Sequence, residues 1–389
     1  MTVETAEQPL AVRQRSFARF YVGAAILLLN TLLLFVLLNL ICWGILAVHQ
    51  ARARPSYLTY SDEWYRSVYP GMADSDWKEL VKETKERPFA FAPYSMFIEP
   101  PFHGQYVNVS DQGFRLVPRQ APWPMDPKNY NVMTFGGSTM FGYAVSDDHT
   151  IPAYLQDILQ KSQSRRVCVY NFGQRAYFST QERIRFEQLL RDGAKPDLVV
   201  FMDGLNDFLF AVEPTFLQQS KDELLAPAGD ASRLLDIWHS LPAGQTAQLL
   251  SKKFLPPPNS APPPDWSAVD PVAIDRYVWN KKAIEAISAA QGIATVFIFQ
   301  PMPTYNYGLT LDQHDWNGPG DQWVINGYPL MAKYVKNHDM GSDFLWLADI
   351  QKGNPNQLYV DKWHYSPEFS RQIADEICKF LEKRGQLPG

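Results

Sequence analysis

The chain has 389 residues, 46% hydrophobic and 20% charged, with a formal net charge of −5. That acidic balance, with no dense Lys/Arg run after residue 50, removes electrostatic support for nucleic-acid binding. Three cysteines argue against a disulfide scaffold, and seven scattered histidines with no His-x-x-x-His or Cys-x-x-Cys give no metal-ligand pattern.

Taken in chain order, the first element is an apolar run, Phe20 to Gln50, that contains no Asp, Glu, Lys or Arg. About 20 apolar residues suffice to cross a bilayer as a helix, so the run spans one even when tilted. It exceeds the ~7–15 residues of a signal-peptide core, and the small-x-small triplet Ala51-Arg52-Ala53 contains an Arg. We read an uncleaved transmembrane anchor over 20–50. Arg13, Arg15 and Arg19 precede it, and Arg52 and Arg54 follow. The slight positive-inside bias predicts a cytoplasmic tail, 1–19, with the rest extracytoplasmic, in the periplasm if the cell is Gram-negative.

Residues 51–130 are aromatic- and Pro-rich, with one helix expected near Ser75–Lys85, and read as a juxtamembrane collar. From Asn131 the pattern changes. Five short apolar runs, Val132–Phe135, Val167–Tyr170, Leu198–Met202, Ala294–Phe299 and Phe344–Ala348, have the composition of parallel strands buried on both faces. Helices are expected between and after them. Ser179-Thr180-Gln181-Glu182 reads as a capping box opening a helix to about Arg191. Asp270-Pro271 reads as a helix start closed by Gly292, and Ser366-Pro367-Glu368 opens a last helix reaching about Lys383. Strands alternating with helices predict one doubly wound α/β domain over 131–389. Residues 212–268, with two Pro-Pro-Pro runs, and the aromatic stretch 303–343 break the alternation and read as rim insertions. The second is the better candidate for covering a substrate. Cys42, Cys168 and Cys378 fall in the apolar run, a strand and the last helix, where a small buried hydrophobe is expected.

Ligands of open α/β sheets bind at the carboxyl ends of the strands. The first three strands here run into Gly136-Gly137-Ser138-Thr139, Asn171-Phe172-Gly173 and Asp203-Gly204-Leu205-Asn206-Asp207. After the fifth, and just before the last helix, comes Asp361-Lys362-Trp363-His364. A lone Gly-Gly-Ser turn or Asp-x-x-His has several uses. Four such features in one chain order are hard to attribute to coincidence.

That set resembles the SGNH, or GDSL, hydrolases, whose blocks supply Ser, Gly, Asn and His in this order. Ser138 matches the block I nucleophile, Gly173 the block II glycine and Asn206 the Asn of Gly-x-Asn-Asp. Asp361 and His364 match Asp-x-x-His. The departure is Gly137, where the usual Gly-Asp-Ser has Asp; Gly-Gly-Ser-Thr is a variant among membrane-anchored bacterial members. The resemblance covers about residues 131–383. It implies a flavodoxin-like three-layer α/β/α fold with a parallel sheet, and a Ser138–His364–Asp361 triad. It also implies an oxyanion hole from the Ser138 and Gly173 N–H groups and the Asn206 amide, where losing one donor costs ~3–4 kcal/mol. No metal or organic cofactor is called for.

Other polar residues read as structural. Asp207 is expected to cap or orient its loop, Asp203 and Asp349 to serve turns, and His149 to start the helix after Ser138. His314, His338, Trp316 and Trp323 are expected to pack the second insertion rather than stack on sugars. The triad leaves the acceptor open, water for an esterase or a sugar hydroxyl for an O-acyltransferase. The anchor favours an acylated envelope glycan over a free small ester, with the bilayer and a multispanning acyl-donor protein as partners. The alternative of another class is a non-catalytic polysaccharide-binding or assembly subunit, which would not need all five residues.

Overall fold

The computed structural model describes residues 10–52, 54–210, 237–254, 266–308 and 319–386. Most of the first expected insertion lies outside the described residues, as do His314 and Trp316. The chain divides into two units, Met1–Pro55 with Gln219–Pro262, and Ser56–Gln218 with Pro263–Gly389.

In the first unit, helix α1 runs Leu10–Arg52. Its stretch Arg19–His49 is long and apolar enough to cross a membrane. A later helix, α8 (Pro242–Phe254), packs beside it.

The second unit begins with the collar. It folds as helices α2 (Asp62–Val68) and α3 (Asp74–Lys85) and strands β1 (Ala90–Ala92), β2 (Met96–Ile98), β3 (Phe102–His103) and β4 (Asn108–Val109). Each strand pair is an antiparallel hairpin. Tyr65, Val68, Trp77, Leu80 and Val81 from the two helices form one buried cluster with Val109, Phe141, Ala144 and Val360. The collar therefore shares a core with the loops beyond the main strands, and has no separate one.

The main sheet contains β5 (Tyr130–Gly136), β6 (Val167–Asn171), β7 (Leu198–Asp203), β8 (Ala294–Phe299) and β9 (Phe344–Trp346). The order is β6-β5-β7-β8-β9, with every pairing parallel. This is the flavodoxin-like arrangement, with β5 and β7 flanking the point where the order reverses. Side chains alternate along each strand. Val132, Val169, Val200 and Ile298 face α5 (Ile151–Ser162) and α11 (Pro367–Lys383) through Leu155, Phe369 and Ile373. Met133, Tyr170, Val199 and Phe297 face α6 (Ser179–Arg191) and α9 (Trp266–Gln291) through Phe186 and Ile284. On that second face, Phe135 stacks on Phe172 and Phe201, with ring centroids 5.7 and 4.8 Å apart, and Phe201 stacks on Phe297 at 5.5 Å. The result is three layers, helix on sheet on helix.

Three sequence expectations need correction. The capping box is not formed. Phe178 is the N-cap of α6, and Ser179 instead donates its hydroxyl to Asp207 Oδ1 at 2.6 Å. Helix α9 starts at Trp266, so Pro271 lies inside it. The second insertion is not irregular throughout, because Pro319–Asn337 is a helix, α10, in the connection from β8 to β9. Val324, Tyr328 and Met331 form its buried face, against Leu205 and Phe208 of α7 (Leu205–Leu209). A Cβ on Gly327 would meet the Phe208 ring at 2.3 Å, so the glycine permits this approach.

Arg115 ties the collar to the sheet. Its backbone bridges both Val109 and Asn171, and its N–H donates to Asn171 O at 2.9 Å. Its fully buried guanidinium donates to Asp147 Oδ1 at 2.8 Å, Phe141 O at 3.0 Å, Val145 O at 2.7 Å and Gly142 O. Replacing it with Met strands these acceptors. Loss of one partner of a buried ion pair typically costs about 3–5 kcal/mol, so Arg115→Met should lower the urea-unfolding free energy of the chain by about that much.

Candidate active site

Ser138 opens α4 (Ser138–Phe141), a single helical turn directly after β5. The two preceding glycines make the turn possible. A Cβ on Gly136 would lie 2.9 Å from Met202 O, and one on Gly137 would lie 2.3 Å from Asn206 Nδ2. A side chain at 137 would have to displace the Asn206 amide.

His364 approaches from the loop between β9 and α11. The Asp361 carboxylate organises that loop, accepting the Trp363 and His364 backbone N–H groups at 2.9 Å each. The loop closes through Val360 N–H donating to His364 O at 2.8 Å. From the collar, Trp64 Nε1 donates to Val360 O at 2.7 Å. Ser366 then caps α11 by accepting from Phe369 N, as its sequence implied.

Together these elements bring Ser138 Oγ within 2.8 Å of His364 Nε2, across 226 positions of sequence. His364 Nδ1 lies 2.8 and 2.9 Å from the two Asp361 oxygens. A carboxylate can only accept there, so Nδ1 carries the proton and Nε2 is left to accept from the serine hydroxyl. Asp361 and His364 are buried and Ser138 is half-buried. Burial alone would push the Asp361 carboxyl up. The adjacent His364, the Lys85 ammonium and the Trp363 N–H outweigh it and hold the group well below the usual carboxylate range.

Two of the expected oxyanion donors, Asn206 and Gly173, have hydrogen-bond partners of their own. Asn206 Nδ2 lies against Gly137 and donates one hydrogen to Tyr177 O at 2.6 Å. The Gly173 N–H donates to Asn171 Oδ1 at 3.0 Å, so it must leave that partner to serve an oxyanion. Gly173 also allows close packing, since a Cβ there would lie 2.4 Å from Phe141 N.

Several residues at the site carry no motif. The Tyr143 ring packs on the His364 imidazole, with centroids 4.2 Å apart. Lys85 donates to Thr59 Oγ1 at 3.0 Å and acts electrostatically on Asp361. Behind Asn206, three buried carboxyls, Glu182, Asp203 and Asp207, come together from α6, β7 and α7, with the Tyr277 phenol and Arg276 of α9 nearby. Burial raises all three, and Glu182 and Asp203 interact as a pair that can bond only by sharing a proton.

A raised carboxyl contributes stability below the ordinary carboxylate range and loses it as pH rises toward the raised value. The melting temperature should therefore fall as pH rises above the ordinary carboxylate range, and fall less in Glu182→Gln, which stays neutral; thermal unfolding over a pH series checks it.

The other sequence candidates that the structure describes have contacts of their own. His149 ends a 3-10 turn, with Nδ1 at 2.7 Å from Ser146 Oγ. Asp349 accepts from Asn306 and Trp346, exposed His338 stacks on Tyr334, and Trp323 is buried in α10. Cys42, Cys168 and Cys378 are buried free thiols. Among the described residues no group of three His, Cys, Asp or Glu is placed to hold a metal.

Residues 134–323 match the GDSL-like Lipase/Acylhydrolase family. This segment belongs to that family, and the α/β domain is a GDSL-like hydrolase of the SGNH superfamily. The match includes Ser138, Gly173 and Asn206; Asp361 and His364 lie beyond it and reach the serine through the fold. Solved structures similar to the chain include a psychrotrophic esterase from Pseudoalteromonas sp., 14% identical with a TM-score of 0.34, over 66% of this chain and all of that one. A carbohydrate acetylesterase family member from Sinorhizobium meliloti is 14% identical, with a TM-score of 0.33, over 65% and 99%. An acetylxylan esterase from Geobacillus stearothermophilus, in a catalytic-mutant structure, is 13% identical, with a TM-score of 0.36, over 66% and 96%. No curated protein sequence matches the chain.

Proposed function

We propose that the chain is a membrane-anchored serine esterase or O-acyltransferase acting on an acyl ester of an envelope glycan. The observation that carries this reading is the hydrogen-bonded series Ser138–His364–Asp361 at the carboxyl ends of the strands. His364 Nε2 takes the Ser138 hydroxyl proton as Oγ attacks the ester carbonyl. Asp361 holds the imidazole orientation and stabilises the imidazolium. The Ser138 and Gly173 N–H groups and the Asn206 amide receive the developing oxyanion. Collapse breaks the ester C–O bond, and the departing alcohol takes the proton from His364. The resulting acyl-serine is attacked by water or a sugar hydroxyl, which gives its proton to His364, and Ser138 is released with its proton restored.

The apolar stretch Arg19–His49 supports anchoring, and the slight positive-inside bias of the flanking arginines supports an α/β domain outside the cytoplasm. Anchoring in turn supports a substrate held at the envelope and an acyl donor in the membrane. The test uses the full chain in detergent micelles, incubated with an acetyl ester and analysed by intact-protein mass spectrometry. The expected result is an acetyl adduct on Ser138 that is absent in Ser138→Ala. Added glycan that discharges the adduct faster than water, and gains the acetyl group, marks a transferase; discharge unaffected by glycan marks an esterase. No adduct under any condition overturns the catalytic reading in favour of a binding subunit.

A further inference from the structure

The first unit holds a polar contact where an apolar span should have none. Asn39 lies in the C-terminal half of α1, among Leu and Ile side chains that are more than half exposed. Its Nδ2 donates to Phe35 O at 2.9 Å, one turn back. Its Oδ1 accepts from Ala243 N at 3.2 Å. Ala243 is the second residue of α8, so its N–H has no acceptor within its own helix. Water can satisfy such a group in solution; in hydrocarbon only another protein group can. Asn39 thus caps a helix from outside it, across 204 positions of sequence.

The depth of the contact follows from helix geometry. Asn39 is ten residues before His49, or roughly 15 Å at 1.5 Å per residue, about half of a ~30 Å hydrocarbon core. Along α1 beyond Asn39, Cys42 and Leu46 are buried while Ile41, Trp43, Ile45 and Val48 are exposed. The buried positions share one face, as expected if α8 runs alongside toward the C-terminal end of the span. From Ala243 to the basic pair Lys252-Lys253 is nine to ten residues, the same rise that separates Asn39 from His49. Ile237, Trp238, Leu249 and Leu250 of this segment are exposed, between 41% and 57%, which suits lipid and not water. Phe35, Val36, Asn39, Leu40 and Trp43 of α1 line an open 470 Å³ groove with Leu241 and Pro242.

We propose that residues 237–254 are a second bilayer-inserted element, clipped to the span by Asn39, and that a lipid acyl chain fills the groove. This rests on the anchor reading above, and the experiment separates the two. Full-length chain is reconstituted in phosphatidylcholine–phosphatidylglycerol vesicles, with one cysteine introduced in turn by Leu34→Cys and Leu250→Cys and labelled with bimane; the three native thiols are buried.

Quenching is measured with nitroxide-bearing phospholipid and with aqueous iodide. Both labels are expected to be quenched by the lipid and shielded from iodide. Adding Asn39→Leu should abolish lipid quenching at position 250 while leaving position 34 unchanged. A label at 250 that only iodide quenches, beside a lipid-quenched label at 34, overturns the inserted element and leaves the anchor standing. Iodide quenching at both overturns both readings. Unchanged lipid quenching at 250 in Asn39→Leu overturns the clip. For the groove, phosphatidylcholine carrying a diazirine on its acyl chain is expected to cross-link to the peptide containing Leu241 and Pro242; cross-links to a second copy of the chain at that peptide, without lipid, overturn the lipid assignment.

Discussion

Ser138→Ala should lower the kcat of the full chain for p-nitrophenyl acetate by a factor of about 10⁶, the scale seen when a serine nucleophile is removed from a complete triad. The loss is large because the hydroxyl is the atom that forms the acyl bond, and no neighbour can stand in for it. Thr139 is adjacent but buried, and its Oγ1 donates to Gln300 Oε1 at 2.7 Å, which holds it away from His364. The substitution should not disturb folding, because Ser138 is half-buried in a helical turn that Ala favours. Initial rates with matched melting curves check this, and equal rates for the two proteins would remove Ser138 from the reaction.

Asp361→Asn should cost about 10⁴ in kcat with little change in the loop. Asn keeps the Oδ1 acceptor for the Trp363 and His364 N–H groups, so the turn that presents the imidazole survives. What is lost is the charge and the demand that Nδ1 carry the proton. The amide can present N–H to Nδ1, which moves the imidazole proton to Nε2 and leaves no base facing Ser138. The pH dependence adds a second readout. Because the Asp361 carboxyl is held well below its usual range, it stays ionised through the mildly acid region and cannot set the acid limb of the wild-type rate profile. By the same depression it contributes stability above the ordinary carboxylate range, and that contribution is lost only as pH falls through its lowered value. Rates between about pH 4 and pH 9 test this, and Asp361→Asn should lower the profile throughout that range.

The parts of this domain that depend on short-range pattern were readable in the sequence. Val132–Phe135 and Ala294–Phe299 are apolar but for one Thr each because both faces of the sheet are covered, and the glycines before Ser138 mark a turn too tight for a side chain. Asp361 and His364 are three residues apart, and their hydrogen bond is local. The misreadings come from contacts made across long separations. Ser179 and Glu182 have the spacing of a capping box, yet Asp207, 28 residues away, takes the serine hydroxyl and Glu182 turns toward Asp203. Helix α10 was hidden by Gly327 and Pro329, residues that weaken a helix in isolation; Gly327 is tolerated here because it lets the helix pack on Phe208. Lys85, Arg115 and Tyr143 carry no motif, because their roles exist only once the collar has folded onto the loops after the strands.

Arg115 has a consequence for how the molecule behaves among copies of itself. An outer strand of a parallel sheet exposes unpaired N–H and C=O groups, a template for another chain. On the β6 side that template is blunted, because the Arg115 backbone occupies Asn171 while its buried side chain fixes the segment in place. On the opposite side, β9 has only three residues, which offers a short docking length. The collar therefore also acts as an edge guard, and a fragment trimmed to begin at residue 131 would expose the longer edge to self-association.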